Sequence, residues 1–258
     1  MDGTFMRDDK SFDRRRFDKL LARMERAGAH FVIASGNQYN QLRLSMGEFA
    51  DRLSYVCDNG AVVVHKGERI YSAHLEPKDL KIIYQAILSD PNLFTIASGH
   101  KSAYIKQGSV TGAWKCLERI LHHHFPRLTE AEDLLAVDDE ITKVSVIMDE
   151  RKTMHYGTML EGMLPDSVMA LVSGYGSVDI IPNGINKAFG LDILAKRLGI
   201  DKRECIAFGD ASNDIAMLSY CGCGYAMANA MPSVLEIADK QAPSNNDDGV
   251  LEVLDQLF

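Results

Sequence analysis

Two apolar runs of strand length, each ending abruptly at polar residues, constrain the fold of this chain most. One covers residues 30–37 (HFVIASGN) and stops at Ser35 and Gly36, and the other covers residues 205–210 (CIAFGD) and stops at a Gly-Asp pair. Uninterrupted apolar runs are typical of strands that are buried on both faces of a parallel sheet. Ligands bind outside the carboxyl ends of such strands. The sequence therefore predicts an α/β fold with a polar site where these two strands end.

The turn after the second run combines several side chains of the kind that bind metals. Asn213 and Asp214 follow Asp210 and precede an apolar helix. Either Asn213 or Asp214 could cap that helix. Capping does not explain Asp210, because a charge at the end of a buried strand is costly without a counter-ion. A divalent metal removes this cost, and Mg²⁺ takes one or two carboxylates together with water and substrate phosphate.

Two further positions carry groups that suit an anion. The Ser35 hydroxyl and the N–H groups beside Gly36 lie at the end of the first strand, where they could hold phosphate oxygens. Lys187 opens an amphipathic helix, and a cation at this position opposes the helix dipole. This unfavourable position indicates a function for the Lys187 ammonium group.

The order of these motifs resembles that of the haloacid dehalogenase superfamily of phosphohydrolases. Residues 1–5 (MDGTF) read as the end of an Asp-x-Asp-Gly-Thr signature, and the strand ending in Ser35, then Lys187, then Gly-Asp-x-x-Asn-Asp follow in the order of that family. The long interval between Ser35 and Lys187 resembles the Cof-type sugar phosphatases, which insert a cap there. The amino-acid sequences of three segments also resemble those of the Cof-type enzymes: residues 34–38 (ASGNQ), 58–61 (DNGA) and 226–230 (AMANA). The resemblance covers essentially the whole chain.

The resemblance implies a nucleophile that precedes the given sequence. In this family the first Asp of the signature attacks phosphorus to form an aspartyl-phosphate, and that position would lie one residue before Met1. Asp2 would be the second Asp, which acts as general acid and then general base while its backbone carbonyl coordinates Mg²⁺. An alternative register makes Asp2 the nucleophile, with Thr4 in the second position. The Gly-Thr pair disfavours it, because this pair directly follows the second Asp in the family.

The missing residues would also form the first strand, at the centre of the sheet. Without that strand, its two neighbours would have open edges. We therefore expect the natural protein to have a short upstream segment that ends in an apolar strand and Asp.

The resemblance assigns the remaining roles to residues that are far apart in the chain. Ser35 would bind the transferring phosphoryl group, and Lys187 would neutralise it. Asp210 would bind the metal. Asn213 and Asp214 would orient the waters of the metal or the neighbouring side chains.

The alternation of strand and helix patterns predicts two domains. Residues 1–76 and 183–258 would form a Rossmann-like core with a parallel sheet, as the resemblance implies. Residues 77–182 would form an inserted α/β cap of the C2B type with a small, largely antiparallel sheet. Within it, the patterns predict helices near 78–89 and 112–124.

Residues of both predicted domains could contact the substrate. A polar, Gly-containing loop in the cap carries His100 and Lys101, and the resemblance implies that they contact substrate hydroxyls. Gly36, Asn37 and Asn59 would contact the substrate from the core.

Two other groups of residues have a structural interpretation. Trp114 has apolar neighbours at helical spacing, which predicts a packing role. The run His122–His124 lies at a predicted helix end, where imidazoles satisfy terminal carbonyls, so we do not expect a metal site there.

Composition limits the partners and the compartment. The net charge of −8 argues against general binding to nucleic acid or to an anionic membrane. Five cysteines without regular spacing indicate reduced thiols in a cytoplasm. No apolar stretch approaches membrane-spanning length.

We therefore expect a cytoplasmic, Mg²⁺-dependent phosphomonoesterase of small phosphorylated sugars, a monomer or weak homodimer whose cap closes over the site. The sequence as given lacks the expected nucleophile, so we expect it to hydrolyse phosphate esters very poorly. Two alternatives stay open. One is a catalytically silent phosphosugar-binding protein, and the other is a phosphomutase that transfers the phosphoryl group to another sugar hydroxyl.

Overall fold

The computed structural model describes residues 1–88, 90–174 and 176–258, and the described strands form three sheets. The strands are β1 Val32–Ala34, β2 Ser54–Cys57, β3 Val62–His65, β4 Glu68–Ser72, β5 Phe94–Gly99, β6 Ala103–Lys106, β7 Leu128–Ala131, β8 Ile141–Ile147, β9 Val168–Gly174, β10 Ser177–Pro182, β11 Ile206–Gly209, β12 Cys223–Met227 and β13 Lys240–Ala242. The helices are α1 Arg14–Arg26, α2 Tyr39–Met46, α3 Pro77–Ile87, α4 Glu118–His124, α5 Thr153–Glu161, α6 Lys187–Leu198, α7 Ile215–Tyr220, α8 Pro232–Leu235 and α9 Gly249–Leu257.

The middle of the chain forms a six-stranded sheet in the order β7-β6-β5-β8-β10-β9. All neighbouring pairs are antiparallel except β6 with β7. Ile83 of α3 and Leu160 of α5 are fully buried in the apolar cluster under this sheet. We call this sheet with its helices the cap and the rest of the described chain the core. The predicted fold class, a parallel-sheet core with an inserted α/β cap, is confirmed.

The details of the cap differ from the sequence prediction at several places. The helix expected over 112–124 is a 3₁₀ helix, Gly112–Leu117, followed by α4, and the helix expected from 78 ends at Ile87. Ser89, the predicted end of that helix, lies outside the described residues. Strand β7 and helix α5 were not predicted. The domain boundaries at 76/77 and 182/183 stay predictions.

The core contains two sheets with a cavity between them. One has the order β1-β2-β3-β4, and the other has the order β11-β12-β13 with all strands parallel. All ladder partners of β1 belong to β2, and all those of β11 belong to β12. Residues 32–34 and 206–208 line one shared cavity of about 380 Å³, together with Met1. Within the described residues, the two strands therefore turn unpaired edges toward the same space.

An aromatic cluster anchors the N-terminal segment to the core. The Phe5 ring lies 5.0 Å from Phe12, 5.1 Å from Phe17 and 5.4 Å from Phe31, measured between ring centroids. Each tilted or edge-to-face pair adds about 0.5–1.5 kcal/mol beyond the burial of its area. Since Phe5 follows the Asp-Gly-Thr turn directly, this cluster fixes the position of that turn.

Trp114 packs inside the cap, as its spacing predicts. Its ring centroid lies 5.6 Å from that of Phe94 on β5. Its indole N–H donates a hydrogen bond of 3.2 Å to the carbonyl of Pro91.

Gly60 allows the loop after β2 to approach the start of α6. Its φ is +108°, and a Cβ atom there would overlap the carbonyl oxygen of Asn186. We expect Gly60→Ala to destabilise the fold by about 2–5 kcal/mol, because left-handed strain and overpacking add. Urea unfolding measures the change.

Gly67 supplies the matched control for this substitution. Its φ is +83°, but no atom lies within 4 Å of where its Cβ would be. Gly67→Ala should therefore cost only the backbone strain of about 1–2 kcal/mol. Equal losses in the two variants would contradict the proposed close contact at Gly60.

Candidate active site

The N-terminal turn lies against the carboxyl end of β11. The Thr4 hydroxyl donates a hydrogen bond to the Asp210 carboxylate. Gly3 has a φ of +68°, and a Cβ atom on it would overlap an Asp210 carboxylate oxygen, so only glycine permits this approach. The structure thus brings the Asp-Gly-Thr turn of residues 2–4 into contact with Asp210, near the other end of the chain.

Lys187 and Asp214 form a buried ion pair beside this turn. Lys187 Nζ lies 2.7 Å from Asp214 Oδ1, and the two side chains are 5% and 6% exposed. The other Asp214 oxygen accepts hydrogen bonds of 3.0 and 3.1 Å from the backbone N–H groups of Asp210 and Ala211. Burial alone would raise the pKa of Asp214, but the charges of Lys187 and the Met1 amino group lower it, together with the hydrogen bonds from Lys187 and Ala211. The pair therefore holds a fixed ammonium group at the start of α6.

Asp210 is the carboxylate that best fits a metal ion. Burial raises its pKa and the charge of Asp214 adds to this rise, although the hydrogen bond from Thr4 opposes it. A nearby cation would stabilise the ionised form of such a carboxylate. Among residues 1–88, 90–174 and 176–258, no three His, Cys, Asp or Glu side chains converge as metal ligands. A Mg²⁺ ion here would therefore depend on few protein ligands, with water and phosphate completing its shell.

The other predicted metal residues are engaged elsewhere. Both Asp214 oxygens are occupied by Lys187 and the backbone, as described above. The Asn213 side-chain amide donates a hydrogen bond of 3.1 Å to Asn59 Oδ1. The Asp2 carboxylate accepts from Lys10 Nζ at 2.8 Å and from Asn37 Nδ2 at 3.3 Å.

Lys10 keeps Asp2 ionised in this arrangement. Burial raises the pKa of the Asp2 carboxyl, but the hydrogen bond from Lys10 and the charges of the Met1 amino group, Lys10 and His124 outweigh it, so the pKa is lowered. An ionised Asp2 suits a general base. To act as a general acid, the same carboxylate must first take up a proton, which the pair with Lys10 opposes.

We expect Lys10→Met to raise the pKa of Asp2, because the largest pKa-lowering interaction is removed. The titration of the Asp2 carboxyl carbon, followed by NMR, measures the shift. Lys81→Met, an exposed change on α3, is the control and should leave the titration of Asp2 unaltered. An unaltered Asp2 titration in Lys10→Met would contradict the assignment of Lys10.

The loop of residues 35–37, which is predicted to hold phosphate and is called the phosphate loop below, lies next to Asp2. The Ser35 hydroxyl is buried and accepts a hydrogen bond of 3.1 Å from the backbone N–H of Asn37, whose side chain reaches Asp2. The backbone N–H of Asn59 donates to the Ser35 carbonyl, also at 3.1 Å. The structure therefore groups Ser35, Gly36, Asn37 and Asn59 beside the N-terminal turn.

His100 and Lys101 follow Gly99, whose carbonyl accepts a hydrogen bond of 3.2 Å from Gln38 Nε2, but their side chains contact other residues. The two His100 ring nitrogens lie 2.7 Å from an Arg69 guanidinium nitrogen and 2.7 Å from the Ser72 hydroxyl. Lys101 Nζ contacts the Asp138 carboxylate at 3.0 Å. The roles of His100 and Lys101 in substrate binding stay predictions.

Sequence reasoning missed two basic side chains near Asp2. Lys10 lies in a polar turn that belongs to no motif, so only the folded chain reveals its pairing with Asp2. His124 was interpreted only as part of a helix end. It does end α4, and its imidazole, when protonated, would also lower the pKa of the Asp2 carboxyl.

No helix in the described part of the chain has the length and apolar character needed to cross a bilayer.

Comparisons with known proteins identify the family and the fold. The sequence profile of the haloacid dehalogenase-like hydrolases matches residues 1–254. Over 258 residues the chain is 34% identical to 5-amino-6-(5-phospho-D-ribitylamino)uracil phosphatase YbjI of Escherichia coli, with 100% of this chain and 94% of that protein covered. The crystal structure of SMU.1108c from Streptococcus mutans is similar with a TM-score of 0.92 and 31% identity, over 100% of this chain and 96% of that one. The subclass IIB sugar phosphatase BT4131 shares the fold, with a TM-score of 0.83 and 20% identity over 100% of this chain and 96% of that one.

Proposed function

The chain belongs to the haloacid dehalogenase-like hydrolase family, and we propose that it is a Mg²⁺-dependent phosphomonoesterase of small phosphorylated sugars that forms an aspartyl-phosphate. Three sets of contacts where β1 and β11 end carry this proposal: Thr4 with Asp210, Asn37 with both Ser35 and Asp2, and Lys187 with Asp214. Lys187 and the Ser35 hydroxyl would hold the phosphoryl group. Fixed charges and donors of this kind supply most of what phosphoryl transfer requires.

The nucleophile in this proposal is an aspartate attached to the Met1 nitrogen. This nitrogen is buried, and the charges of Lys187, Asp214 and Asp210 act on it. A residue joined there would therefore enter the proposed phosphate site. The cavity between β1 and β11 would receive the apolar strand that carries this aspartate.

Asp210 would hold Mg²⁺, with contributions from the Asp2 backbone carbonyl and Asn213. When bound, the ion would neutralise charge on the phosphoryl oxygens and orient them. Asp214 would act by fixing Lys187, to which it is bound in the structure. Asp2 would exchange protons with the leaving oxygen and the attacking water.

The chemistry of the site and the names of the relatives support the proposed substrate class. The name of the Escherichia coli relative describes a phosphorylated ribityl chain, which is a small polyhydroxy phosphate ester. In this chain, Asn37, Asn59, His100 and Lys101 would contact such hydroxyls. Five free cysteines agree with a cytoplasmic protein, which we propose to be a monomer or weak homodimer.

A substrate panel tests the proposal against its two alternatives. The given chain and a form extended by an apolar strand ending in Asp are assayed with sugar phosphates, sugar-alcohol phosphates and MgCl₂. Phosphate release by the extended form supports the phosphatase. Binding of sugar phosphates without release would favour a silent binding protein. A requirement for a sugar bisphosphate without net release would favour a phosphomutase.

A further inference from the structure

A buried polar network crosses the boundary between the cap and the core. Every member is at most 5% exposed except Gly36, which contributes its backbone carbonyl. The members are Gly36, Asp58 and Asn59 of the core and Thr142, Lys143, Ser145 and Asp179 of the cap. None of them was singled out by sequence patterns as a link between the two parts. Polar groups are costly to bury, so a network of this size indicates a function for its geometry.

Lys143 connects β8 to the phosphate loop. Its ammonium group donates a 2.5 Å hydrogen bond to the Gly36 carbonyl and lies 3.4 Å from Asp179 and 3.9 Å from Asp58. A carbonyl oxygen bound in this way cannot turn toward an anion, which it would repel. Lys143 therefore keeps the Gly36 carbonyl oxygen turned away from the proposed anion site next to Ser35.

Asp179 connects β10 to both sides of the site through Asn59. One Asp179 oxygen accepts a hydrogen bond of 2.9 Å from the Asn59 side-chain amide, and the other accepts one of 2.7 Å from Ser145 on β8. Asn59 has a left-handed φ of +55° and contacts the Ser35 carbonyl and the Asn213 amide. One cap carboxylate thus fixes the residue that bridges the phosphate loop and the turn after β11.

The charges also make the network depend on Lys143. Asp58 and Asp179 are both buried beside it, and Asp58 Oδ1 has no hydrogen-bond partner among the described residues. Without the ammonium group, two carboxylates would share one buried space. The buried charges therefore favour one arrangement of the cap on the core.

We propose that Lys143 and Asp179 are positioning residues of the cap that hold the phosphate loop of the core in place. Phosphate binding and packing of the cap against the core then stabilise each other. This inference rests on the phosphate site of the proposed function. Coupling of this kind is reciprocal. Phosphate binding should therefore affect the contact between cap and core, and changes at that contact should affect the phosphate affinity.

Amide hydrogen exchange and phosphate affinity test the proposal together. Lys143→Met and Asp179→Asn should speed exchange of the Asn37 and Asn59 amides about tenfold or more, and should weaken binding of inorganic phosphate with MgCl₂ by a similar factor. Ser145→Ala is the matched control, because it removes a hydrogen bond to the same Asp179 but from within the cap. It should change both quantities by less than about threefold.

The outcomes separate this inference from the proposed function. Unchanged exchange at Asn37 and Asn59 in both variants would overturn the positioning role, whatever the phosphate affinity. If the unaltered chain did not bind phosphate, both the proposed phosphate site and the proposed coupling would be wrong.

A measurement on the unaltered chain avoids variants that fold poorly. The Leu75 amide donates a 2.7 Å hydrogen bond to the Ile141 carbonyl where the chain enters the cap. Phosphate with MgCl₂ should slow exchange of this amide if the cap seats more firmly. Bound phosphate without any such slowing would overturn the coupling.

Discussion

Replacing Lys187 by Met should destabilise the folded chain by about 3–5 kcal/mol, because it leaves the buried Asp214 carboxylate without its counter-ion. The same change should abolish phosphate binding, since it removes the fixed cation of the proposed site. Urea unfolding measures the first effect and calorimetric titration with phosphate and MgCl₂ the second. The two losses have different causes, so they need not have equal size.

Lys196 on the same helix provides a close control. Its ammonium group also lies 2.7 Å from an aspartate, Asp192, but its side chain is 77% exposed. Lys196→Met should cost no more than about 0.5 kcal/mol and leave phosphate binding intact. If both lysine variants lost similar stability, the buried pair would not have the importance inferred here.

An apolar strand ending in Asp, joined to Met1, should raise phosphatase activity at least about 10³-fold over that of the given chain, because it supplies the nucleophile. It should also stabilise the fold by about 2–5 kcal/mol, since filling the cavity between β1 and β11 outweighs the ordering of the added residues. Initial rates with a sugar phosphate and urea unfolding are the two measurements.

The same extension ending in Asn separates the two effects. This form should gain the stability of the added strand but not the activity, because an amide does not attack phosphorus. Equal activity of the Asp and Asn forms would refute the proposed nucleophile. Activity without any gain in stability would instead place the added segment outside the cavity.

The sequence predicted the parts of the site that depend on strand ends. Apolar runs that stop at polar residues located Ser35 and Asp210, and the motif order implied that the N-terminal turn meets Asp210. The structure brings Thr4 and Asp210 into contact across 206 residues. This contact was predictable because functional groups of such folds gather outside the carboxyl ends of the parallel strands.

Contacts made by side chains across the cap boundary were not predictable in the same way. Lys143 and Asp179 lie in apolar strand patterns, and the Lys143 contact with Gly36 spans 107 residues. Local periodicity carries no information about such partners. The contacts of His100 were equally hidden, because a polar loop suggests a ligand contact but does not reveal that the ring nitrogens lie next to Arg69 and Ser72.

The location of the single tryptophan has a practical consequence. Trp114 packs on Phe94 inside the cap, and the chain contains no other indole. Its fluorescence therefore reports melting of the cap alone, whereas far-ultraviolet circular dichroism averages over the entire chain. Coincident transitions by the two optical signals would mean that the cap and the core melt as one cooperative unit.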